Sequence, residues 1–342
     1  MKKTKGAISL HGLLLCFVCI LFAFTGESHA QQQIVYNQYL QNPYYVNPAF
    51  SGTDGITEFV LLAREQWLGY KDRPRTYSLN FQMNLLDNPV LGTPLEMKSV
   101  RRGSSARTTN EIFRNASMGV AGTLINDVNG RVRRTGIQAS YSYQILAGEW
   151  MLAAGLGMSF MQYKVNVLPT DLFDTRVDDP LITAGKPIKG YAPDFNVGFA
   201  VSNGRYWGGI SVTSLLQNSL QFGTYNEKNV YRQLTQLYFL SGYKIELRRG
   251  VIFEPSAMLT LNGRTQWTAD INFKVESEHR FWGAVGYRTL SDITVSGGVR
   301  YNRLTFGYAF SYTVAGPEVI GKYGTHELMV GFRVAPRKLE NK

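Results

Sequence analysis

The stretch Leu304-Thr305-Phe306-Gly307-Tyr308-Ala309-Phe310-Ser311-Tyr312 carries a large apolar or aromatic side chain at every second position, with small or hydroxylic residues between. Period two is the repeat of a β-strand, whose successive side chains leave on opposite faces. The same alternation runs through Thr135 to Ile145, where Ile137, Tyr141, Tyr143 and Ile145 oppose Gly136, Gln138, Ser140, Ser142 and Gln144. It returns in Trp267, Ala269, Ile271, Phe273 and Val275, and again in Phe195, Val197, Phe199 and Val201. Strands of soluble sandwiches usually run about five or six residues. Alternation over about ten fits a tilted strand crossing a bilayer with its apolar side chains toward lipid.

Extending outward, the pattern predicts fourteen strands, at 57–64, 75–83, 115–126, 133–145, 150–163, 192–201, 205–213, 233–245, 251–262, 265–274, 280–288, 293–300, 303–313 and 325–334. An even count is the rule for single-chain bacterial barrels. The expected fold is an all-β, antiparallel, up-and-down transmembrane barrel of about 14 strands over residues 57–334. Composition agrees: 34 Gly, 20 Tyr and 19 Phe stand beside only 18% charged residues. Beyond the first 30 residues no apolar run is long enough for a membrane helix. A barrel strand shows lipid on one face only, so it needs no such run.

Residues 1–30 read as a secretory leader. Lys2, Lys3 and Lys5 precede the apolar stretch Leu13 to Phe24, and Ser28-His29-Ala30 supplies small residues for cleavage before Gln31. Both cysteines, Cys16 and Cys19, and two of the four histidines fall inside that leader. The expected mature chain therefore offers no disulfide and no thiolate metal site. Its basic balance, +11 for the whole chain, is scattered rather than blocked, which argues against a nucleic-acid partner for an exported protein.

The connections divide by length. If the first strand rises from the periplasm, links such as 147–149, 202–204, 247–250, 276–279 and 301–302 face the periplasm and are short. Links 65–74, 164–191, 214–232 and 314–324 then face outward and are mostly longer, the asymmetry such barrels show. One polar segment, 84–114, breaks the rule as a long periplasmic insertion. Its Arg101 and Arg102 are candidates for contact with a partner, and a tolerated insertion is the competing reading. Residues 335–342 form a basic tail.

Residues 31–56 are rich in turns. Proline fixes its own φ and restricts the residue before it, so Asn42-Pro43 and Asn47-Pro48 exclude a helix or a regular strand. With Tyr39 and neighbouring aromatics the segment is either a plug inside the barrel, a periplasmic contact, or a lead-in that closes the lower end. Arg64, Trp67 and Tyr70 surround the first outer link, as a docking patch or as part of the interfacial aromatic girdle. Asp127, Asn129 and Gly130 carry only a fragment of a calcium loop, and Asn129-Gly130 between alternating strands predicts a hairpin turn. Lys274, Asp270, Arg288, Arg300, Glu327 and Arg333 fall on the inward parity, where they pair across the lumen or line a pore. His326-Glu327 has no third group positioned for catalysis, and no Gly-x-Ser-x-Gly elbow, His-x-x-x-His pair or phosphate-binding loop occurs. No enzyme, cofactor or metal site is expected.

In order along the chain come Gln38-Tyr39, Asn42-Pro43, Asn47-Pro48-Ala49-Phe50-Ser51-Gly52, Arg64-Glu65-Gln66-Trp67-Leu68-Gly69 and Pro74-Arg75-Thr76-Tyr77-Ser78. Asn126-Asp127, Arg134-Thr135-Gly136 and Ala192-Pro193-Asp194-Phe195 follow. Arg280-Phe281-Trp282, Gly286-Tyr287-Arg288 and His326-Glu327-Leu328-Met329-Val330-Gly331 complete the series. Over residues 33–332 this pattern resembles the PorP/SprF family of type IX secretion system outer-membrane proteins. The resemblance implies an outer-membrane component of a Gram-negative bacterium that supports secretion or surface attachment of cargo, proteases in one branch and a gliding adhesin in another. It implies as partners the periplasmic ring, the translocon and the secreted cargo. The alternative from the residues alone is a porin or FadL-like channel for a small solute.

Overall fold

The computed structural model describes residues 36–70, 72–85, 116–165, 188–217, 219–221, 230–248, 250–263, 266–277, 280–289, 291–314 and 324–334. Alternation becomes strand throughout: β1 (Thr57–Glu65), β2 (Arg75–Asn84), β3 (Ala116–Asn129), β4 (Val132–Ala147), β5 (Trp150–Val165), β6 (Ile188–Ser202) and β7 (Tyr206–Thr213). After a small ribbon of β8 (Ser219–Gln221) and β9 (Val230–Arg232), the wall resumes with β10 (Gln236–Tyr243), β11 (Ile245–Arg248) and β12 (Val251–Asn262). It ends with β13 (Gln266–Ser277), β14 (Phe281–Arg288), β15 (Asp292–Tyr301), β16 (Leu304–Thr313) and β17 (Thr325–Val334). Each wall strand is antiparallel to its neighbours, and β1 pairs with both β2 and β17, from Thr57 opposite Val334 to Glu65 opposite His326. β10 and β11 share one stave against β12, so the sheet is a closed barrel of 14 strands, as the sequence leads one to expect.

Sequence and structure differ where proline interrupts a ladder. The alternation predicts one strand over 233–245, whereas the structure has β10 and β11 with a break at Lys244. Pro255 on β12 has no N–H to add to the ladder at that level, while on the other side of the stave the N–H of Lys244 donates to the carbonyl of Arg205, continuing the pairing with β7. Toward their hairpin β3 runs three residues and β4 one residue further than the apolar alternation shows, because their last inward residues are polar. There the Thr76 hydroxyl and the Arg134 guanidinium both donate to Asp127, at 2.7 and 2.9 Å. The hairpin expected at Asn129-Gly130 forms one residue later: Asn129 pairs with Val132, and Gly130 takes φ +56°.

The two faces have inverted polarity. Along β16, Phe306, Tyr308, Phe310 and Tyr312 are exposed, while Thr305, Ala309 and Ser311 are buried. Leu61, Leu79, Leu156, Phe199, Phe273 and Val295 likewise point outward, and Asn80, Gln144, Asp194, Asp270 and Glu327 point in. An apolar exterior around a polar interior is the arrangement required when the surrounding solvent is hydrocarbon. The packed core therefore lies inside the barrel. Its two larger clusters join Tyr44, Ala49 and Phe50 to Ala121, Ala153 and Ala200, and Tyr39 and Val46 to Tyr238, Leu240 and Met258.

An arginine on the lipid face at mid-depth costs about 2–4 kcal/mol. Phe306→Arg is therefore expected to reduce the heat-modifiable folded band on gels. Thr268→Arg, which enters the lumenal cavity beside Asp270 and Asp292, should leave it near the level of the parent. Equal bands from the two variants would contradict the face assignment.

Candidate functional site

Three single-turn 3-10 helices, Tyr39–Gln41, Pro43–Tyr45 and Pro48–Phe50, fold the chain before β1 into a compact coil. The Asn-Pro pairs explain the coil locally. Each proline occupies the first position of a turn, where the missing N–H costs nothing. The side-chain oxygen of Asn47 caps the third turn by accepting from the N–H of Ala49 at 2.9 Å. Its amide nitrogen meanwhile donates to the wall, to the carbonyls of Phe199 and Ile210 at 3.0 and 3.2 Å.

Further bonds fix the segment around the inner wall. Glu327 on β17 accepts two successive backbone N–H groups, Asn37 on Oε2 and Gln38 on Oε1, both at 3.0 Å. Asn272 donates to the Tyr39 hydroxyl at 2.9 Å, and Arg300 to the Gln41 side chain at 3.1 Å. Ser211 donates to the carbonyl of Val46 at 2.6 Å, while Ser142 and Gln144 donate to that of Ser51 at 2.6 and 3.1 Å. Burial pushes the phenols of Tyr39 and Tyr44 up, so both stay neutral. The seat itself is made by glycines on the inward parity. A Cβ at Gly155 would overlap the backbone of Pro48 and Ala49, one at Gly119 the carbonyl of Ser51, and one at Gly198 the side chain of Asn47.

Ion pairs occupy the remaining interior. Arg288 meets Asp270 at 2.6 Å, Arg134 meets Asp127 at 2.8 Å, and Arg333 meets Glu58 at 2.9 Å. Lys274 bridges Glu254 and Glu276 at 3.1 and 3.3 Å, and Arg300 also pairs with Glu276. All six charged residues expected on the inward parity lie there, and those ion pairs take up five of them. Glu327 is the sixth, with the segment's amides on its carboxylate. His326 and Glu327, being adjacent on a strand, face opposite sides: His326 Nδ1 pairs outside with the Tyr308 hydroxyl at 2.7 Å. Period two thus separates the one histidine–carboxylate pair that suggested chemistry.

Cavities remain at both mouths. The end holding the short turns, the start of β1 and the end of β17 has one of about 330 Å³, lined by residues including Phe50, Trp207, Lys244 and Arg333. The opposite, long-link end has two smaller ones of about 90 and 130 Å³, lined in part by Arg64 and Asp292 and by Tyr36 and Tyr163 respectively.

Of the contact candidates, Tyr39, Asn42, Asn47 and Pro48 are buried in the lumenal coil, and Pro43 is half-buried beside the 330 Å³ cavity. Arg64 is buried at the long-link end, opposite Glu327 in the β1–β17 register. Trp67, with φ +53°, and exposed Tyr70 stand in the link beyond β1, their rings in edge contact at 6.4 Å. Arg101 and Arg102 lie outside the described residues, as do 86–114 of the expected insertion, the leader 1–30 and the tail 335–342. Sequence reasoning passed over the glycine seats. Their signal was available, since glycine inside a long strand marks close approach of another backbone.

A closed barrel, polar and filled within and apolar without, defines a membrane β-barrel of the outer-membrane type. The chain belongs to the type IX secretion system membrane protein PorP/SprF family, whose pattern it matches over residues 28–332. No curated protein sequence matches it. Among solved structures it is similar to the toluene transporter TodX of Pseudomonas putida, at 9% identity, covering 89% of this chain and 94% of that one, with TM-score 0.45. The toluene transporter TbuX of Ralstonia pickettii gives 9%, 84%, 91% and 0.44, and CdiB from Acinetobacter baumannii 9%, 81%, 60% and 0.43. At such identities and scores they say nothing of this chain's cargo or partners.

The glycine seats give a matched test. Gly155→Ala drives a methyl into the coil and should cost about 1–3 kcal/mol, the usual range for overpacking. Gly122→Ala faces outward, with its nearest neighbour atom 3.8 Å from the added methyl. Chymotrypsin should cut folded Gly155→Ala protein at Tyr39, Tyr44 or Tyr45 and spare Gly122→Ala. Equal resistance would mean the coil does not rest on Gly155.

Proposed function

We propose that this chain is a non-enzymatic outer-membrane component of type IX secretion that supports export or surface attachment of a cargo protein. One observation carries the reading beyond the family: the chain's own amino-terminal coil fills the lumen. A solute pore needs a continuous lumen, whereas a docking component needs a rigid barrel and links that reach partners. Export to the outer membrane proceeds through a leader, residues 1–30, removed before Gln31. The first strand rises from the periplasm, so 84–114, with Arg101 and Arg102, meets the periplasmic ring. The links 166–187 and 214–235, with Trp67 and Tyr70, meet cargo or translocon outside, and lipid surrounds the apolar wall. The cargo class is a secreted protease or a gliding adhesin.

Both sides are tested in one set of strains. Outside the leader the chain has no cysteine, so Ser104→Cys, Thr183→Cys and Asn226→Cys report without background. An impermeant maleimide on whole cells should label Thr183→Cys and Asn226→Cys and spare Ser104→Cys until cells are opened. A photocrosslinker at Arg101 or Arg102 should capture ring components, and deletion of the gene should strand cargo inside the cell. Normal secretion in the deletion strain, with no ring protein captured, would sink the proposal. Labelling of Ser104→Cys on whole cells with Thr183→Cys protected would invert the barrel.

A further inference from the structure

At the long-link end, β4, β5 and β6 carry cations side by side on the outer face of the barrel. Arg133 pairs in register with Lys164, and Lys164 with Lys189. Each sits second from the end of its strand. They share the outward parity of Ile137, Phe160 and Phe195 on the same strands, all exposed. Arg133 and Lys189 are exposed, and Lys164 is half-buried. Neighbouring strands lie about 4.8 Å apart, so the three cations span about 10 Å of the circumference. Arg75 stands on the same row across Val128, but it faces Glu65 in the β1–β2 register.

Like charges set directly opposite one another destabilise a sheet. Elsewhere the barrel matches cations with carboxylates: Arg73 meets Glu65 at 2.9 Å on the outside, and Arg134, next to Arg133, turns inward to Asp127. Among the described residues no carboxylate forms an ion pair with Arg133, Lys164 or Lys189. The rows beneath show what supplies the countercharge. Two residues deeper, about 7 Å along the strands, Thr135 donates to Asn126 at 3.0 Å and Gln162 to the Tyr191 hydroxyl at 2.9 Å. Two residues deeper again, Leu124, Ile137 and Phe160 lie exposed in one register. Cation, then amide and phenol, then hydrocarbon is the order in which a lipid presents its phosphate, its interfacial groups and its acyl chains. The row is confined to one sector. On the opposite wall Tyr287, Ile293 and Tyr312 hold the second-from-end positions.

We infer that Arg133, Lys164 and Lys189 bind the phosphate of an anionic lipid in the leaflet at the long-link mouth, with its acyl chains against Leu124, Ile137 and Phe160. The inference stands apart from the cargo reading. An inverted barrel would change which leaflet supplies the lipid and leave the site in place.

The test uses the full-length barrel in nonionic-detergent micelles doped with phosphatidylglycerol or phosphatidylcholine, read by native mass spectrometry, with folding verified by heat-modifiable migration. The parent should retain phosphatidylglycerol in preference to phosphatidylcholine. Each basic residue near an anionic surface strengthens binding about fivefold, so Arg133→Gln/Lys164→Gln/Lys189→Gln should need at least about tenfold more phosphatidylglycerol for the same occupancy. Arg205→Gln/Arg280→Gln/Arg303→Gln removes the same charge from exposed turns at the short-turn mouth and should bind as the parent does. Equal loss in the two triple variants overturns the inference, and so does a parent with no preference between the lipids. Displacement of the lipid by an equal concentration of inorganic phosphate would overturn it as well, leaving a site for a free anion.

Discussion

A strand edge left unpaired in hydrocarbon exposes N–H and C=O groups that cost several kcal/mol each. Here the edge is removed by one ladder, the register that sets Thr57 against Val334 and Glu65 against His326. The same seam holds the interior. Arg64 and Glu327 face each other across it on the inward side, and the Glu327 carboxylate takes two amides of the lumenal coil. Closure of the wall and seating of the coil are therefore coupled, since a slip by one residue would turn Glu327 to lipid.

The coil replaces what a small soluble domain would build between sheets. Its Tyr44, Tyr45 and Phe50 meet small wall residues, Ala121, Ala153 and Ala200, which leave the volume they fill. Full burial of a side chain the size of Phe50 is worth about 1.5–3 kcal/mol. Side-chain donors on the wall satisfy the coil's turn carbonyls at Val46 and Ser51, and ion pairs occupy what is left of the interior. Such an interior is a structural element. What the molecule offers to others is its mouths and links, which suits a component of a secretion machine.

The wall was legible in the sequence because period two and lipid exposure act on every strand alike. Strand ends were less so: Asp127 and Asn129 look like turn residues until Arg134 is seen beside Asp127. The 233–245 stave reads as continuous because the cause of its break, Pro255, lies on the neighbouring strand. The interior was legible by chemistry and not by geometry. Asn42-Pro43 and Asn47-Pro48 announce turns, but nothing local says that Gly119, Gly155 and Gly198 lie beneath them, since that juxtaposition exists only once the barrel closes. Glu327 was recognisable as an inward charge, whereas its grip on the Asn37 and Gln38 amides joins residues some 290 positions apart.

The filled lumen is the claim on which the functional account turns, and ion conductance through purified barrels in planar bilayers reads it directly. The intact chain should give no steady conductance, and a chain lacking residues 36–51 should give discrete steps as the interior floods. Stepwise conductance from the intact chain, unchanged by that deletion, would contradict the account and describe an open pore.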